Sequence, residues 1–432
     1  MTMTAVELLQ ELIRCDTTNP PGNEGLCVEL IKGLLEEAGV ETAIYAGDPA
    51  RPNLVARLPG KANGRPLLLQ GHVDVVTTSG QAWTRPPFGG ELVDGFVWGR
   101  GAVDMKGGVA MLVSAFLRAA RGEIEPPGDL LLVVLADEEG GGDLGAKFLV
   151  EEHPRLFDGI RHGLGEFGGF TMEMGGRRFY PIQVAEKQIC WLKATIHGAG
   201  GHGAMINRGS TMARLGRFLN DLDAARLPVH VTPVAREMLE RIAAELPDPN
   251  GEQLRSLLRP ELTDQALALL GPAARTTEPL LRNTVTATIV RAGEKINVVP
   301  AEVEVELDGR TLPGFGPDDL IGELQEAVGD DVELELVRHD PGPPEPDLEL
   351  FETLAGVLRE LEPEATPIPL LQIGVTDARF FSRLGIQTYG FLPMRLPEGF
   401  DFLPLLHAAD ERVPADAIEF GVEAISRALE RV

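Results

Sequence analysis

The sequence predicts an α/β fold in which a layered domain with a largely parallel sheet is interrupted by a smaller β-α-β-β-α-β unit. Length is the first reason: 432 residues exceed what one hydrophobic core usually organises, so two domains, or three, are expected. Apolar strand runs then alternate with helical periodicity through the first third, as in a parallel sheet covered by helices. From near residue 185 the strand and helix patterns follow the ferredoxin-like order.

The elements follow in chain order. Ala5, Leu8, Leu9, Leu12 and Ile13 recur at helical spacing with Glu7 and Glu11 between them, an amphipathic helix rather than a signal peptide. Residues 54–58 are apolar and extended, and residues 66–76 form a buried-strand run. Helical periodicity covers 107–120, and 129–136 is a second buried strand. In the second unit, strands are expected at 189–197, 284–290, 302–307 and 332–337, with helices at 210–222 and 318–328. An excess helical segment, about 225–280, reads as an insertion, and its Leu239, Leu246, Leu257, Leu258, Leu267, Leu269 and Leu270 either line an apolar pocket or bury one another. The Pro-rich stretch 340–346 reads as a linker back, and a helix over 414–429 closes the chain. The expected organisation is a first domain from 1–184 and 343–432, interrupted by a second from 185–342.

Composition narrows the function. Sixty-six acids against 39 bases leave a formal charge of -27, a field that repels phosphate backbones and argues against a nucleic-acid partner. Cys15, Cys27 and Cys190 form no CxxC pair, which fits a reducing cytoplasm. No run approaches the roughly 18 apolar residues that a membrane span requires, so no membrane role is expected.

The chemistry gathers at a few places. Gly71-His-Val-Asp74 lies at the C-terminal end of an apolar strand, where ligands of open α/β sheets collect. His72 and Asp74 point the same way, so they form either a hydrogen-bonded pair or a metal ligand with its orienting carboxylate. Asp104 stands among the glycines of Trp98-Gly-Arg-Gly-Ala-Val-Asp-Met-Lys-Gly-Gly108, as a helix cap or as a ligand with backbone room around it. Asp137, Glu138 and Glu139 close a buried strand, an unfavourable crowding of like charge unless cations compensate it. The following Gly140–Gly145 matches a dinucleotide fingerprint, but the acids sit where a pyrophosphate needs positive potential. Glu166 lies in Leu164-Gly-Glu-Phe-Gly-Gly-Phe170, and His407 precedes the final helix. A mixed set of histidines and carboxylates suits catalytic zinc. Two ions sharing one carboxylate would stand roughly 3.5–4 Å apart, a hydrolytic arrangement.

Taken together, HxD, GRGxxDMKGG, DEEGG, GEFGGF, GGHG and the late histidine resemble the dinuclear zinc exopeptidases and deacylases over nearly the whole chain. That family includes aminoacylase, acetylornithine deacetylase, succinyl-diaminopimelate desuccinylase and carboxypeptidase G. The resemblance implies a three-layer zinc-exopeptidase-like catalytic domain with an inserted ferredoxin-like lid and dimerisation domain. It implies two divalent ions, zinc with cobalt or manganese as substitutes. His72, Asp104 and Glu166 would hold one ion, and Asp104, Glu139 and His407 the other, with Asp104 bridging. Glu138 would be the general base, Asp74 would orient His72, and the Asp104-Met105 peptide would be cis. His202 of Gly200-Gly-His-Gly203 would enter a partner's active site, the alternative being a surface loop residue. Asn297, Arg310 and Thr376 would contact substrate, Arg310 clamping a free carboxylate. Ala204 and Ile206 stand where the family often has Ser and Pro, and Gln188 where Gly is common. The insertion points to the larger carboxypeptidase- and N-fatty-acyl-amino-acid-hydrolase-like branch. The expected activity is amide hydrolysis of N-acyl amino acids or short peptides by a cytoplasmic homodimer. A carbamoyl-amino-acid amidohydrolase and a non-catalytic amino-acid or peptide-binding protein are the alternatives.

Overall fold

The computed structural model of the protein describes residues 3–61, 64–329 and 331–432. The chain divides into two compact units, one from Met1–Val184, Asp347–Leu370 and Thr376–Val432, the other from Ala185–Pro346 and Leu371–Val375.

The first unit is built on a nine-stranded sheet. Its middle is parallel: Leu67–His72 pairs with Leu130–Leu135 on one side and His162–Gly165 on the other, and Gln387–Gly390 continues beyond His162–Gly165. These strands are buried on both faces, so Leu130–Leu135 reads as an unbroken apolar run. The largely parallel sheet expected from the sequence is in fact mixed. Thr42–Tyr45, Asn53–Leu58 and Leu130–Leu135 are successively antiparallel, as are Met172–Met174 with Arg177–Glu186 and Arg177–Glu186 with Gln387–Gly390. The short links before Asn53 and Arg177 allow only hairpin reversals, because a parallel crossover needs a dozen residues or more.

Helices cover both faces of this sheet. Lys106–Ala120, the crossover between two parallel strands, packs against Ala5–Arg14 and Ala415–Leu429. Ala417, Ile418, Val422, Ile425 and Leu429 form the buried stripe of the last helix. On the other face Leu68, Leu131, Val133 and Leu135 meet Leu149, Phe157, Phe380 and Phe381. The layering is therefore helix, sheet, helix.

The second unit runs strand Gln188–His197, helix Thr211–Ala224, strands Thr284–Ala292 and Glu302–Thr311, helix Pro317–Val328 and strand Glu333–Asp340. The sheet is antiparallel, and the first strand lies between the third and fourth, the ferredoxin-like order. One face is apolar: Leu192, Ala194, Ile196, Val303, Val305 and Leu307 pack with Phe218, Leu320 and Leu324. Inserted after the first helix are Pro233–Glu245, Asn250–Leu257 and Thr263–Leu270. Leu239, Leu246, Leu257, Leu258 and Leu267 are buried, Leu270 is half-buried and Leu269 is exposed. Among the described residues no helix is long and apolar enough to cross a membrane.

Candidate metal centre

The parallel strands of the first unit deliver their C-terminal ends to one edge. His72 is the last residue of Leu67–His72, Glu138 and Glu139 follow Leu130–Leu135, and Glu166 comes directly after His162–Gly165. Asp104 arrives on the turn before Lys106–Ala120. It does not cap that helix: Met105 is the N-cap residue, and no side chain caps the end. The Asp104–Met105 peptide is cis. The glycines around Asp104 have a steric reason. Gly101 has φ +84°, and a Cβ on Gly107 would lie 2.3 Å from the Ala102 carbonyl oxygen. His407 arrives on a loop after the turn Leu403–Leu405. His407 itself, Asp137 beside Glu138 and Phe167 beside Glu166 hold positive φ, which concentrates backbone strain around the site.

These six side chains converge. The Nε2 of His72 lies 3.3 Å from Asp104 Oδ1, 3.7 Å from Glu166 Oε1 and 4.0 Å from Glu138 Oε2. The Nε2 of His407 lies 3.1 Å from Asp104 Oδ2 and 3.2 Å from Glu139 Oε1. Asp104 thus turns one oxygen to each histidine. Glu138 is also within reach of His72 but lies farther away than Asp104.

The donor set fits divalent cations. His72 Nε2, Asp104 Oδ1, Glu139 Oε1 and Glu166 Oε2 are buried, and none makes a hydrogen bond among the described residues. Orphaned buried polar atoms are costly, and here four of them belong to the converging side chains. Asp104, Glu138, Glu139 and Glu166 would together carry four negative charges, which two dications would neutralise. Without cations the carboxyls resist ionising: burial pushes Glu166 well above the ordinary range, Glu138 upward, and Glu139 up to about 7. Burial opposes ionisation of Asp104 as well, but contacts with His407 and His72 bring its pKa below the usual value. His407 is raised to about 10, first by Asp104 and then by Glu139.

Asp74 is fully buried beneath this cluster. The His72 Nδ1 lies 3.1 Å from the Asp74 carbonyl oxygen and 3.4 Å from its Oδ1. The carboxylate accepts hydrogen bonds from the N–H groups of Glu138 and Glu139, each at 3.1 Å, and from Asn19 Nδ2 at 2.8 Å. Asp74 therefore ties His72 to the acidic pair as well as steadying the imidazole. Asn19 and Arg379 were not legible as site residues. Arg379 Nη1 lies 3.5 Å from Glu138 Oε1 and donates to the Thr376 carbonyl at 2.7 Å, and its Nη2 donates to the Gly141 carbonyl at 3.0 Å. The glycine run after Glu139 folds onto Asp137, whose carboxylate accepts the Leu144 N–H at 3.0 Å.

The remaining candidates are placed as follows. Thr376 belongs to the first unit; it is buried, and its hydroxyl oxygen accepts the Ala378 N–H at 3.1 Å. His202 and Asn297 share an exposed ribbon of the second unit in which Gly201–His202 pairs with Val298–Val299. The Nδ1 of His202 accepts the Ala204 N–H at 3.1 Å. Arg310 lies within the strand Glu302–Thr311 rather than after its end. Its Nε and Nη2 are held by Asp308 at 2.7 and 3.2 Å, while its buried Nη1 makes no hydrogen bond among the described residues.

The chain resembles known proteins in sequence and in fold. The profile described as Peptidase family M20/M25/M40 matches residues 68–431. A succinyl-diaminopimelate desuccinylase of Paracoccus denitrificans is 27% identical over 428 residues, covering 98% of this chain and 97% of that one. The N-fatty-acyl-amino acid synthase/hydrolase PM20D1 of Homo sapiens is 26% identical over 374 residues, covering 84% of this chain and 73% of that one. Among solved structures, an M20 family metallo-carboxypeptidase from Sulfolobus solfataricus superposes with a TM-score of 0.71 at 16% identity, covering 99% of this chain and 98% of that one.

Proposed function

Because the chain belongs to peptidase family M20/M25/M40, we propose that it is a dinuclear-metal hydrolase cleaving the amide bond of N-acyl amino acids or short peptides that carry a free carboxylate. One observation carries the dinuclear reading: Asp104 presents Oδ1 toward His72 and Oδ2 toward His407. A single carboxylate that divides its oxygens between two histidine-bearing sites is what a bridging ligand requires. His72, Asp104 and Glu166 would hold one ion, and Asp104, Glu139 and His407 the other. When bound, the two ions supply Lewis acidity and increase the acidity of water.

The chain's own groups do the rest. Glu138 takes a proton from the attacking water and returns it to the leaving nitrogen, as general base and then acid. Arg379, anchored on two carbonyls, holds the Glu138 carboxylate from behind. Arg310 binds the substrate carboxylate through Nη1, its other edge being fixed by Asp308. Asn297 and Thr376 contact the substrate. In a homodimer formed through the second unit, His202 serves the other copy's oxyanion. The exposed Met205, Ile206 and Ile296 around its ribbon are the kind of surface an assembled dimer covers. Three free cysteines suit a reducing cytoplasm. Zinc is the proposed metal, since two histidines with carboxylates are its usual catalytic ligands.

The test is hydrolysis of N-acetyl, long-chain N-acyl and N-carbamoyl amino acids and of dipeptides, before chelation, after it, and after restoration with zinc, cobalt or manganese. Turnover of N-acyl or peptidyl substrates that disappears with chelation and returns with metal is expected. Turnover indifferent to chelation, or confined to N-carbamoyl substrates, would overturn the proposal.

A further inference from the structure

Asp104 and His407 are brought together from positions 303 residues apart, and His407 is half exposed on a loop. Something must hold both backbones. Glu411, four positions beyond His407 and fully buried, accepts the N–H groups of Val103 at 2.8 Å and Asp104 at 3.1 Å on Oε1. Its Oε2 accepts the Gly101 N–H at 3.1 Å and Arg100 Nη1 at 2.6 Å. Arg100, itself buried, reaches on through Nη2 to Gln81 Oε1 at 2.8 Å, with its guanidinium over the Trp83 ring. Trp83 Nε1 also donates to Gln81 Oε1, at 3.1 Å. Gln81 Nε2 then donates to the backbone carbonyl of His407 at 2.7 Å. The contacts close a ring: Asp104 backbone, Glu411, Arg100, Gln81, His407 backbone, and back to Asp104 through the imidazole.

We propose that Glu411, Arg100 and Gln81 are positioning residues that set the spacing of Asp104 and His407 and so define the second cation's site. This rests on the dinuclear reading above. A buried carboxylate with four donors on it, one of them a guanidinium, is a strong anchor, and the charges compensate each other without drawing on the ligands. The ring also assigns unequal roles. Of the two ligand backbones Gln81 contacts only that of His407, whereas Glu411 holds the Asp104 turn that both ions would share.

The experiment titrates zinc into the full-length apoprotein against a chromogenic chelator and measures bound zinc by mass spectrometry, with thermal unfolding in excess chelator alongside. Wild type is expected to bind two ions. Gln81→Ala is expected to weaken one of the two sites by about 10–100-fold, as loss of a group that orients a ligand does, and to leave the other site and the chelated midpoint unchanged. Turnover of this variant should recover in excess zinc. Glu411→Gln, which preserves shape, is expected to weaken both sites; should it fail to fold, Gln81→Ala decides alone. Two unaltered sites in Gln81→Ala, or a fall in its chelated midpoint with no change in affinity, would overturn the proposal. Fewer than two ions in wild type would refute the dinuclear reading itself and the ring's role with it.

Discussion

Asp74→Asn removes one negative charge from beneath the site while keeping the side chain's shape. The wild-type carboxylate is fully buried and accepts three hydrogen bonds, with His72 Nδ1 at 3.4 Å from Oδ1. An asparagine that keeps its oxygen at the Oδ2 position retains the Asn19 and Glu139 donors but turns an NH2 against the Glu138 N–H. Losing a bond to a charged acceptor costs about 1.5–3 kcal/mol, and the buried N–H left unpaired adds roughly 1–3 kcal/mol. Cation-free protein recovers part of this, because one charge leaves a crowd of ionisable carboxyls; metal-loaded protein does not, because the ions already neutralise that crowd. The substitution should therefore lower the stability of the loaded protein by more than that of the chelated protein. The gap should match a 10–100-fold loss of metal affinity, about 1.4–2.8 kcal/mol. Chemical unfolding with saturating zinc and with excess chelator reads both quantities. Equal destabilisation in the two states would refute the argument and reduce Asp74 to a structural residue.

Two further predictions follow from other parts of the molecule. Glu138→Gln should keep both ions and lower kcat by about 10²–10⁴-fold, the range of positioned proton transfer, as steady-state kinetics with metal analysis would show; a near-normal kcat would remove Glu138 from proton transfer. Lys187 is buried, its Nζ donating to the Arg282 carbonyl at 2.8 Å and to Thr284 Oγ1 at 3.0 Å, and burial lowers its pKa from 10.5 to about 7. Between those values the unfolded chain binds more protons than the folded one, so this group's contribution to stability rises with pH across the window and is lost as pH falls through 7. The full span is on the order of 5 kcal/mol, since each pKa unit corresponds to about 1.4 kcal/mol. Lys187→Met should flatten the rise of unfolding free energy between pH 7.5 and 9.5; parallel wild-type and variant profiles would contradict this.

Much of the site was legible because its residues adjoin the clearest strands. Apolar runs ending in His72 and in Asp137-Glu-Glu139 announce buried strands whose ends carry chemistry, and the folded sheet places them on one edge. The glycines around Asp104 were equally readable, since the turn leaves no room for a Cβ on Gly107. The antiparallel flanks were not. Arg177–Glu186 opens with two arginines and contains Pro181, which masks a ten-residue strand that the sheet nevertheless accepts. The sequence pattern ends the strand bearing Arg310 at Leu307. In the fold, a Cβ on Gly309 would lie 2.1 Å from the Cys190 carbonyl oxygen, so the glycine serves close strand contact. Glu411, Arg379 and Asn19 were invisible for another reason: an acid and an amide in loops and a base in the short helix Ala378–Phe381 acquire meaning only from partners brought in by the fold.

The central claim is that Asp104 joins two cations. A crystal structure of the zinc-loaded protein, with anomalous scattering at the zinc edge, tests it most directly. The account predicts two peaks roughly 3.5–4 Å apart with one Asp104 oxygen on each, His72 on one ion and His407 on the other. A single peak, or two peaks with Asp104 bound to only one of them, would contradict it.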